Sequence, residues 1–128
     1  MPKKAITTPK AKAIGPYSMA IESGDLVFLS GQIPLDAATG KLVEGDIAAQ
    51  ARQSLENLKT ILDAAGLTFA HVVKVNIFLT SMGDFAAVNE AYKSYFREPY
   101  PARSTIAVAA LPMGAKVEIE MVASRSAA

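Results

Sequence analysis

Few side chains in this sequence are equipped for chemistry. The most suggestive is Arg103, which follows Pro101-Ala102 and opens a segment, Ser104 to Ala110, that carries no charge. A guanidinium at the end of an apolar strand either snorkels to solvent or offers paired donors to a carboxylate. The second candidate is the run Lys116-Val117-Glu118-Ile119-Glu120, in which Lys116, Glu118 and Glu120 alternate onto one face of a strand. That alternation marks a solvated edge. If the face is instead buried in an oligomer, it supplies a carboxylate that positions water or moves a proton beside the arginine. His71, the only imidazole, stands at the start of a strand with no motif around it and reads as a surface or structural residue. Glycine-rich phosphate loops, His-Glu-x-x-His and Gly-x-Ser-x-Gly are all absent from the sequence.

Composition narrows the chemistry further. The chain has 128 residues, 51% hydrophobic and 20% charged, with a net charge of +1. That length fits one domain over residues 1 to 128, and folding at this size removes roughly two thirds of the unfolded surface from water. Neither the signature of disorder nor the basic excess of a dedicated nucleic-acid binder is present. Without cysteine there are no disulfides, thiolate metal sites or thiol nucleophiles. One histidine leaves too few soft ligands for a typical zinc or haem site, so no metal or other cofactor is expected, although carboxylates could recruit a hard cation. The amino-terminal lysines Lys3, Lys4, Lys10 and Lys12 precede no secretory apolar run and read as a solvated, partly frayed terminus. No stretch reaches the roughly 20 apolar residues of a membrane span, and a cytoplasmic protein is expected.

The elements that must position Arg103 and Glu118 follow from periodicity. Tyr17, Met19 and Ile21 alternate with polar or small residues, and Ser23-Gly24-Asp25 turns the chain into Leu26 to Ser30, which predicts two antiparallel strands. Asp36 to Gly45 is loop-like. Ile47, Ala51, Leu55, Leu58, Leu62 and Ala65 recur at helical spacing, with Asp46 suited to the N-cap and Gly66 to the stop. From Val72 to Thr80, Val73, Val75, Ile77 and Leu79 form one strand face, and Lys74, Asn76 and Phe78 the other. Ser81 to Asp84 has the form of a capping box, and Phe85, Val88, Tyr92 and Tyr95 or Phe96 continue a helix to about Arg97. Strands over Arg103 to Ala110 and Lys116 to Ser124 close the chain. The order predicts an α+β fold or a mixed α/β sheet, with two helices on one face of the sheet. Val117, Ile119 and Met121 would face those helices, while Met19, Phe78, Ala107, Ala109 and Val122 take the opposite parity. A sheet apolar on both faces, with helices for one, predicts oligomerisation.

Several segments together resemble one family. Ile14-Gly15-Pro16-Tyr17-Ser18, Leu29-Ser30-Gly31-Gln32-Ile33-Pro34, Gln50 to Leu58, Pro101-Ala102-Arg103-Ser104, Leu111-Pro112 and Val117-Glu118-Ile119-Glu120 occur in the order and spacing of the Rid (YjgF) family, in its RidA-like branch. The resemblance covers essentially the whole chain. It implies a chorismate-mutase-like fold, a homotrimer with clefts between subunits, and hydrolysis of reactive enamines and imines such as 2-aminoacrylate to 2-keto acids and ammonia. Carried onto this sequence, Arg103 matches the arginine that binds the substrate carboxylate and Glu118 the glutamate that orients or activates water. Tyr17 matches a tyrosine lining the cleft, Ser30 and Gly31 a small turn near the substrate, and Asn89 an asparagine near the site. In this arrangement the Val72 to Thr80 strand lies between the strands of Arg103 and Glu118. They would then be about 9.6 Å apart, two strand spacings, so the pair serving one site is expected to come from neighbouring chains.

Two departures from the pattern affect expectations. Many RidA-like members carry cysteine where this chain has Thr105. Because the role there belongs to backbone groups, Thr105 keeps its place among the substrate-binding residues while thiol chemistry is excluded. The loop before Pro101 is shorter than in several relatives, which bears on substrate preference. Two other functions compete with deamination: a non-catalytic trimer that binds or senses small carboxylates through Arg103, and an RNA-directed translation inhibitor or endoribonuclease. The low net charge and the lack of an aromatic-basic RNA motif weigh against the last.

Overall fold

A computed structural model describes residues 2–128. The elements in chain order are β1 (Lys4–Ile6), β2 (Ala20–Ser23), β3 (Leu26–Gln32), β4 (Leu35–Asp36), β5 (Lys41–Leu42), α1 (Ile47–Ala64), β6 (Val72–Leu79), α2 (Phe85–Lys93), β7 (Ala102–Ala107) and β8 (Val117–Ser124). Six strands form one sheet in the order β1-β2-β3-β8-β6-β7, and β4 and β5 form a small separate hairpin. All neighbours in the large sheet are antiparallel except β6 and β7. The sheet is mixed and mostly antiparallel, and its two helices lie on one face, as the element order predicts.

The core lies between that face and the helices. Leu55, Leu58, Ile61 and Leu62 of α1 and Val88, Ala91 and Tyr92 of α2 are buried with Val27, Leu29, Val75, Ile77, Leu79, Val117, Ile119 and Met121 of the sheet. Both ends of α1 behave as read. Asp46 accepts a hydrogen bond from the Ala49 amide at 2.9 Å, and Gly66 leaves the helix at φ +75°, a conformation that favours glycine. On its sheet-facing side α1 also pins the chain leaving β3. Asn57 Nδ2 donates to the carbonyls of Ile33 at 3.2 Å and Leu35 at 2.9 Å.

The opposite face of the sheet has no helix. By register it carries Ile21, Phe28, Val122, Glu120, Glu118, Asn76, Phe78, Ser104 and Ile106. Phe28 and Ile106 remain 45% and 51% exposed, an apolar content that a solvated face does not need.

Five details differ from the sequence reading. Part of the amino terminus is ordered: Lys4–Ile6 pairs with β2 and Ile6 packs against the core, while Lys3, Lys4, Lys10 and Lys12 are exposed to solvent as read. Tyr17 lies in the loop before β2, because the strand begins only at Ala20. A bulge between Val72 and Lys74 rotates Val73 out of the core, so Val72 takes the buried place and Val73 is exposed. Helix α2 ends at Lys93, with Tyr95 and Phe96 beyond it, and at its start Ser81 caps a short 3-10 turn through Gly83 while Asp84 makes no side-chain cap. Of the five residues assigned to the second sheet face, Phe78 and Val122 are there. Ala107 pairs with Leu79 on the helix side, Met19 packs against the core, and Ala109 lies beyond β7, which stops at Ala107.

Core energetics give a direct check. Leu58 is fully buried while its neighbour Lys59 points to solvent. Leu58→Ala is expected to lower unfolding stability in urea by about 2–5 kcal/mol, and Lys59→Ala to change it by no more than about 0.5 kcal/mol.

Candidate active site

The residues singled out from the sequence fall into two groups on opposite faces of the sheet. The first surrounds Arg103. Its register partner is Val75, whose other neighbour is Met121, so the arginine projects to the helix side at the edge strand β7. There it meets one face of α2. Arg103 Nη1 donates to Asn89 Oδ1 at 2.7 Å. The guanidinium carbon stands 4.8 Å from the centre of the Tyr92 ring and 5.8 Å from that of Phe85. Phe85, Asn89 and Tyr92 are spaced four and three residues apart, which is why one helix face brings all three to the same cation. Thr105, two residues along the strand, shares this side, and its Oγ1 is buried without a hydrogen-bond partner among the described residues.

Arg103 has no carboxylate partner among the described residues. Its neighbours support that state electrostatically. Burial pushes the Tyr92 phenol up to about 12, against the pull of the Arg103 charge, so the ring stays neutral and meets the cation through its π face. The sequence itself points to Arg103 and the family resemblance to Asn89, whereas Phe85 and Tyr92 read only as core positions. Their spacing with Asn89 was the available signal.

The second group lies around Glu118 on the uncovered face. The β3–β8 register slips between Leu29 and Gln32, so Ser30 and Gly31 together oppose a single residue, as in a bulge. Gly31 sits directly against the Glu118 carboxyl: a Cβ built on it would meet Glu118 Oε2 at 2.8 Å and Cδ at 2.9 Å. The glycine is required for space, since its φ is not positive. Ser30 Oγ donates to the Ser18 carbonyl at 2.6 Å, tying the Ile14 to Ser18 loop, with its exposed Tyr17, to the same bulge. Desolvation first, and the nearby Glu120 charge second, raise the Glu118 pKa above its ordinary value.

Glu118 pairs with Phe78 and Arg103 with Val75, so strand alternation alone puts the two side chains on opposite sides. Tyr17 and Ser18 line a cavity of about 440 Å³, two others of about 730 and 320 Å³ open elsewhere, and neither Arg103 nor Glu118 lines any of the three. His71 is structural, as read: its Nδ1 accepts from the Thr68 amide at 3.0 Å and caps a short 3-10 turn. Among the described residues no three His, Asp or Glu side chains gather as a metal ion would need, and no helix is long and apolar enough to cross a membrane.

Comparison with known proteins puts these two groups of residues in context. The family model described as Endoribonuclease L-PSP matches residues 7–125. The chain belongs to the Rid (YjgF) family. It is 56% identical over 126 residues to Protein DfrA of Myxococcus xanthus, covering 96% of each chain. It is 49% identical over 122 residues to a 2-iminobutanoate/2-iminopropanoate deaminase of Mus musculus, covering 94% of this chain and 90% of that one. Among solved structures, Escherichia coli TdcF with bound serine superposes with a TM-score of 0.89 at 47% identity, covering 96% and 99% of the two chains. The Rid-family structures share the two helices packed on a mostly antiparallel sheet.

The electrostatics of Glu118 are measurable. Because its pKa is raised in the folded chain, its proton favours folding at acid pH, and that contribution is lost as pH rises through the raised value. Carboxyl NMR should place Glu118 above the ordinary glutamate range, with Glu120→Gln moving it down but not to the ordinary value, since desolvation is the larger cause. Glu118→Gln should leave the protein at least as stable as the parent at pH 7. A Glu118 titration in the ordinary range would refute this account.

Proposed function

We propose that this chain hydrolyses reactive 2-enamines and 2-imines such as 2-aminoacrylate, giving 2-keto acids and ammonia. Relatives named 2-iminobutanoate/2-iminopropanoate deaminase at 47–49% identity support imine deamination as the general activity. The observation that carries the reading here is a guanidinium held by neutral groups with no carboxylate of its own, together with a carboxyl of raised pKa set over a glycine. The bound serine of the TdcF structure is a small amino-acid carboxylate of the size this chemistry requires.

The reaction makes small demands. The carbon of a protonated imine is already electrophilic, so holding the anion, aligning a water and moving a proton are sufficient. Arg103 anchors the substrate carboxylate, whose burial would otherwise be costly. An enamine first takes a proton from solvent at its β carbon to become the protonated imine. Ionised Glu118 accepts a proton from the attacking water as oxygen bonds to the imine carbon and the C=N pair moves to nitrogen, returns that proton to nitrogen, and takes the hydroxyl proton as the C–N bond breaks, the carbonyl forms and ammonia leaves. A carboxyl of raised pKa suits these transfers better than an ordinary one. Tyr17, Ser30, Gly31, Asn89 and Thr105 shape the surroundings. Neither a metal nor a covalent nucleophile is needed.

One chain cannot bring the two groups together, so the working site is assembled between copies. In this reading a chorismate-mutase-like homotrimer, a closed ring of heterologous contacts, lays the Arg103 edge of one subunit against the uncovered face of the next and hides Phe28 and Ile106. The cytoplasm is the expected compartment. A second reading rests on Arg103, which has no carboxylate partner among the described residues and by itself would bind a 2-keto acid without turnover. An RNA-directed activity has in its support the description of the family model and those of some similar structures, among them an endoribonuclease description in Thermotoga maritima and a translation initiation inhibitor description in Vibrio vulnificus.

The reading is tested by generating 2-aminoacrylate in situ with a PLP-dependent dehydratase and following pyruvate. The parent protein should speed the conversion, and Arg103→Ala should lower kcat/KM by about two to three orders of magnitude, the effect of two charge-assisted hydrogen bonds. Folded protein that leaves the decay unchanged while binding 2-oxobutanoate would point to the sensor instead.

Assembly makes a separate demand. Mixing Arg103→Ala with Glu118→Ala subunits under exchange should restore about a quarter of the sites, because one in four random interfaces then joins an intact Arg103 to an intact Glu118. If mixing restores nothing, the site is not shared between subunits.

A further inference from the structure

The surroundings of Arg103 contain more than a place for an arginine. The Phe69 and Phe96 rings meet edge to face at 5.2 Å, Phe96 stacks on Tyr92 at 4.5 Å, and Tyr92 lies 4.8 Å under the guanidinium carbon. The cation therefore stands at the end of an aromatic ladder that runs back into the core, where Phe96 and Tyr92 are 6% and 4% exposed. The Tyr92 hydroxyl is buried and makes no hydrogen bond among the described residues. What this residue supplies to Arg103 is the face of its ring. Asn89 takes Nη1, and no other hydrogen bond of the guanidinium forms among the described residues.

We propose that Tyr92 is a positioning residue for Arg103: its ring fixes the guanidinium plane while Asn89 occupies Nη1, so that Nε and Nη2 form the edge offered to a ligand carboxylate. A planar carboxylate matches that edge side-on with two parallel N–H···O bonds. Held in this way, the guanidinium has already lost the rotational freedom that binding would otherwise remove, and the gain appears in affinity. A lysine at the same place would carry the charge without the plane. The role is distinct from catalysis because Tyr92 touches Arg103 and not the reacting atoms. Only the kinetic arm of its test rests on the deaminase reading.

The experiment compares Tyr92→Phe, which keeps the ring, with Tyr92→Leu, which removes it. In the ligand-free protein, rotation of the Arg103 guanidinium about Nε–Cζ is read by NMR, the signal being assigned by its loss in Arg103→Lys. Binding of 2-oxobutanoate is read by calorimetry, and kcat and KM with 2-aminoacrylate. Tyr92→Leu should speed the rotation and weaken both 2-oxobutanoate binding and KM by about tenfold, the size of a desolvated cation–π contact, with kcat held within about twofold. Tyr92→Phe should restore all of these. Equal damage in both variants would assign the effect to the hydroxyl and overturn the proposal. So would unchanged rotation and binding in Tyr92→Leu, or a loss confined to kcat. If Tyr92→Leu does not fold, Tyr92→Met, which fills the space with a flexible side chain and no ring, carries the same comparison, with faster rotation and weaker binding expected and unchanged values overturning the proposal. Should the parent protein turn over no imine, the deaminase reading fails while rotation and 2-oxobutanoate binding still decide the role of Tyr92.

Discussion

Side-chain alternation along β8 is the constraint on which the rest of this molecule depends. The strand lies between β3 and β6 and has no free edge, so Val117, Ile119, Met121 and Ala123 must fill the core beneath the helices. Glu118 and Glu120 are thereby sent to the other face. A slip of one residue would drive both carboxylates into an apolar core containing nothing to pair with them, at a cost of several kcal/mol each. The same register passes through β6 into β7, where Val75 aligns with Arg103 and Ile77 with Thr105. Cation and carboxylate are separated by the pleat of the sheet, and no rotamer change in either side chain can reunite them within one chain.

That separation explains the character of the Arg103 environment. An arginine half-buried at a sheet edge would ordinarily be stabilised by an internal carboxylate, and such a pair would compete with any ligand. Here the cation is supported by groups that do not neutralise it. The Tyr92 and Phe85 rings attract it through their quadrupoles, and Asn89 accepts one hydrogen bond through an uncharged oxygen. Because the phenol is held at about 12, proton transfer cannot turn Tyr92 into a phenolate counter-ion near neutral pH. The arginine is fixed in place while keeping its full charge.

How far the sequence revealed this varied with the physics of each part. Helix α1 was legible because eighteen residues of regular spacing, a capping aspartate and a stopping glycine all agree. The α+β class followed from the order of the elements. Features requiring a partner strand were not legible: β1 is three residues of ordinary polarity that become a strand only because β2 offers its edge, and the bulges at Val72 to Lys74 and at Ser30-Gly31 are properties of pairing. Tyr17 was misplaced for a related reason, since alternation from Tyr17 to Ile21 continues past the point where hydrogen bonding begins. At the site, Arg103 and Glu118 stood out as charges among apolar residues. Phe85 and Tyr92 did not, because an aromatic residue at helical spacing has the same pattern whether it fills a core or carries a cation.

The glycine beneath Glu118 shows how a loss of local packing can serve electrostatics. At the β3 bulge two residues span the space of one, and a side chain on the second would occupy the volume the carboxyl now fills. With only backbone under it, Glu118 is drawn down against the sheet, where it loses water on one side and faces Glu120 along its own strand. Both effects disfavour the charge, and both depend on the carboxyl staying close to the surface of the sheet. Had Gly31 been alanine, the carboxyl would have to lift away from the strand toward solvent, and its pKa would fall back toward that of an ordinary glutamate. A carboxyl able to hold a proton above the usual range, and to take one up when ionised, is thus a property of the Gly31–Glu118 pair rather than of the glutamate alone.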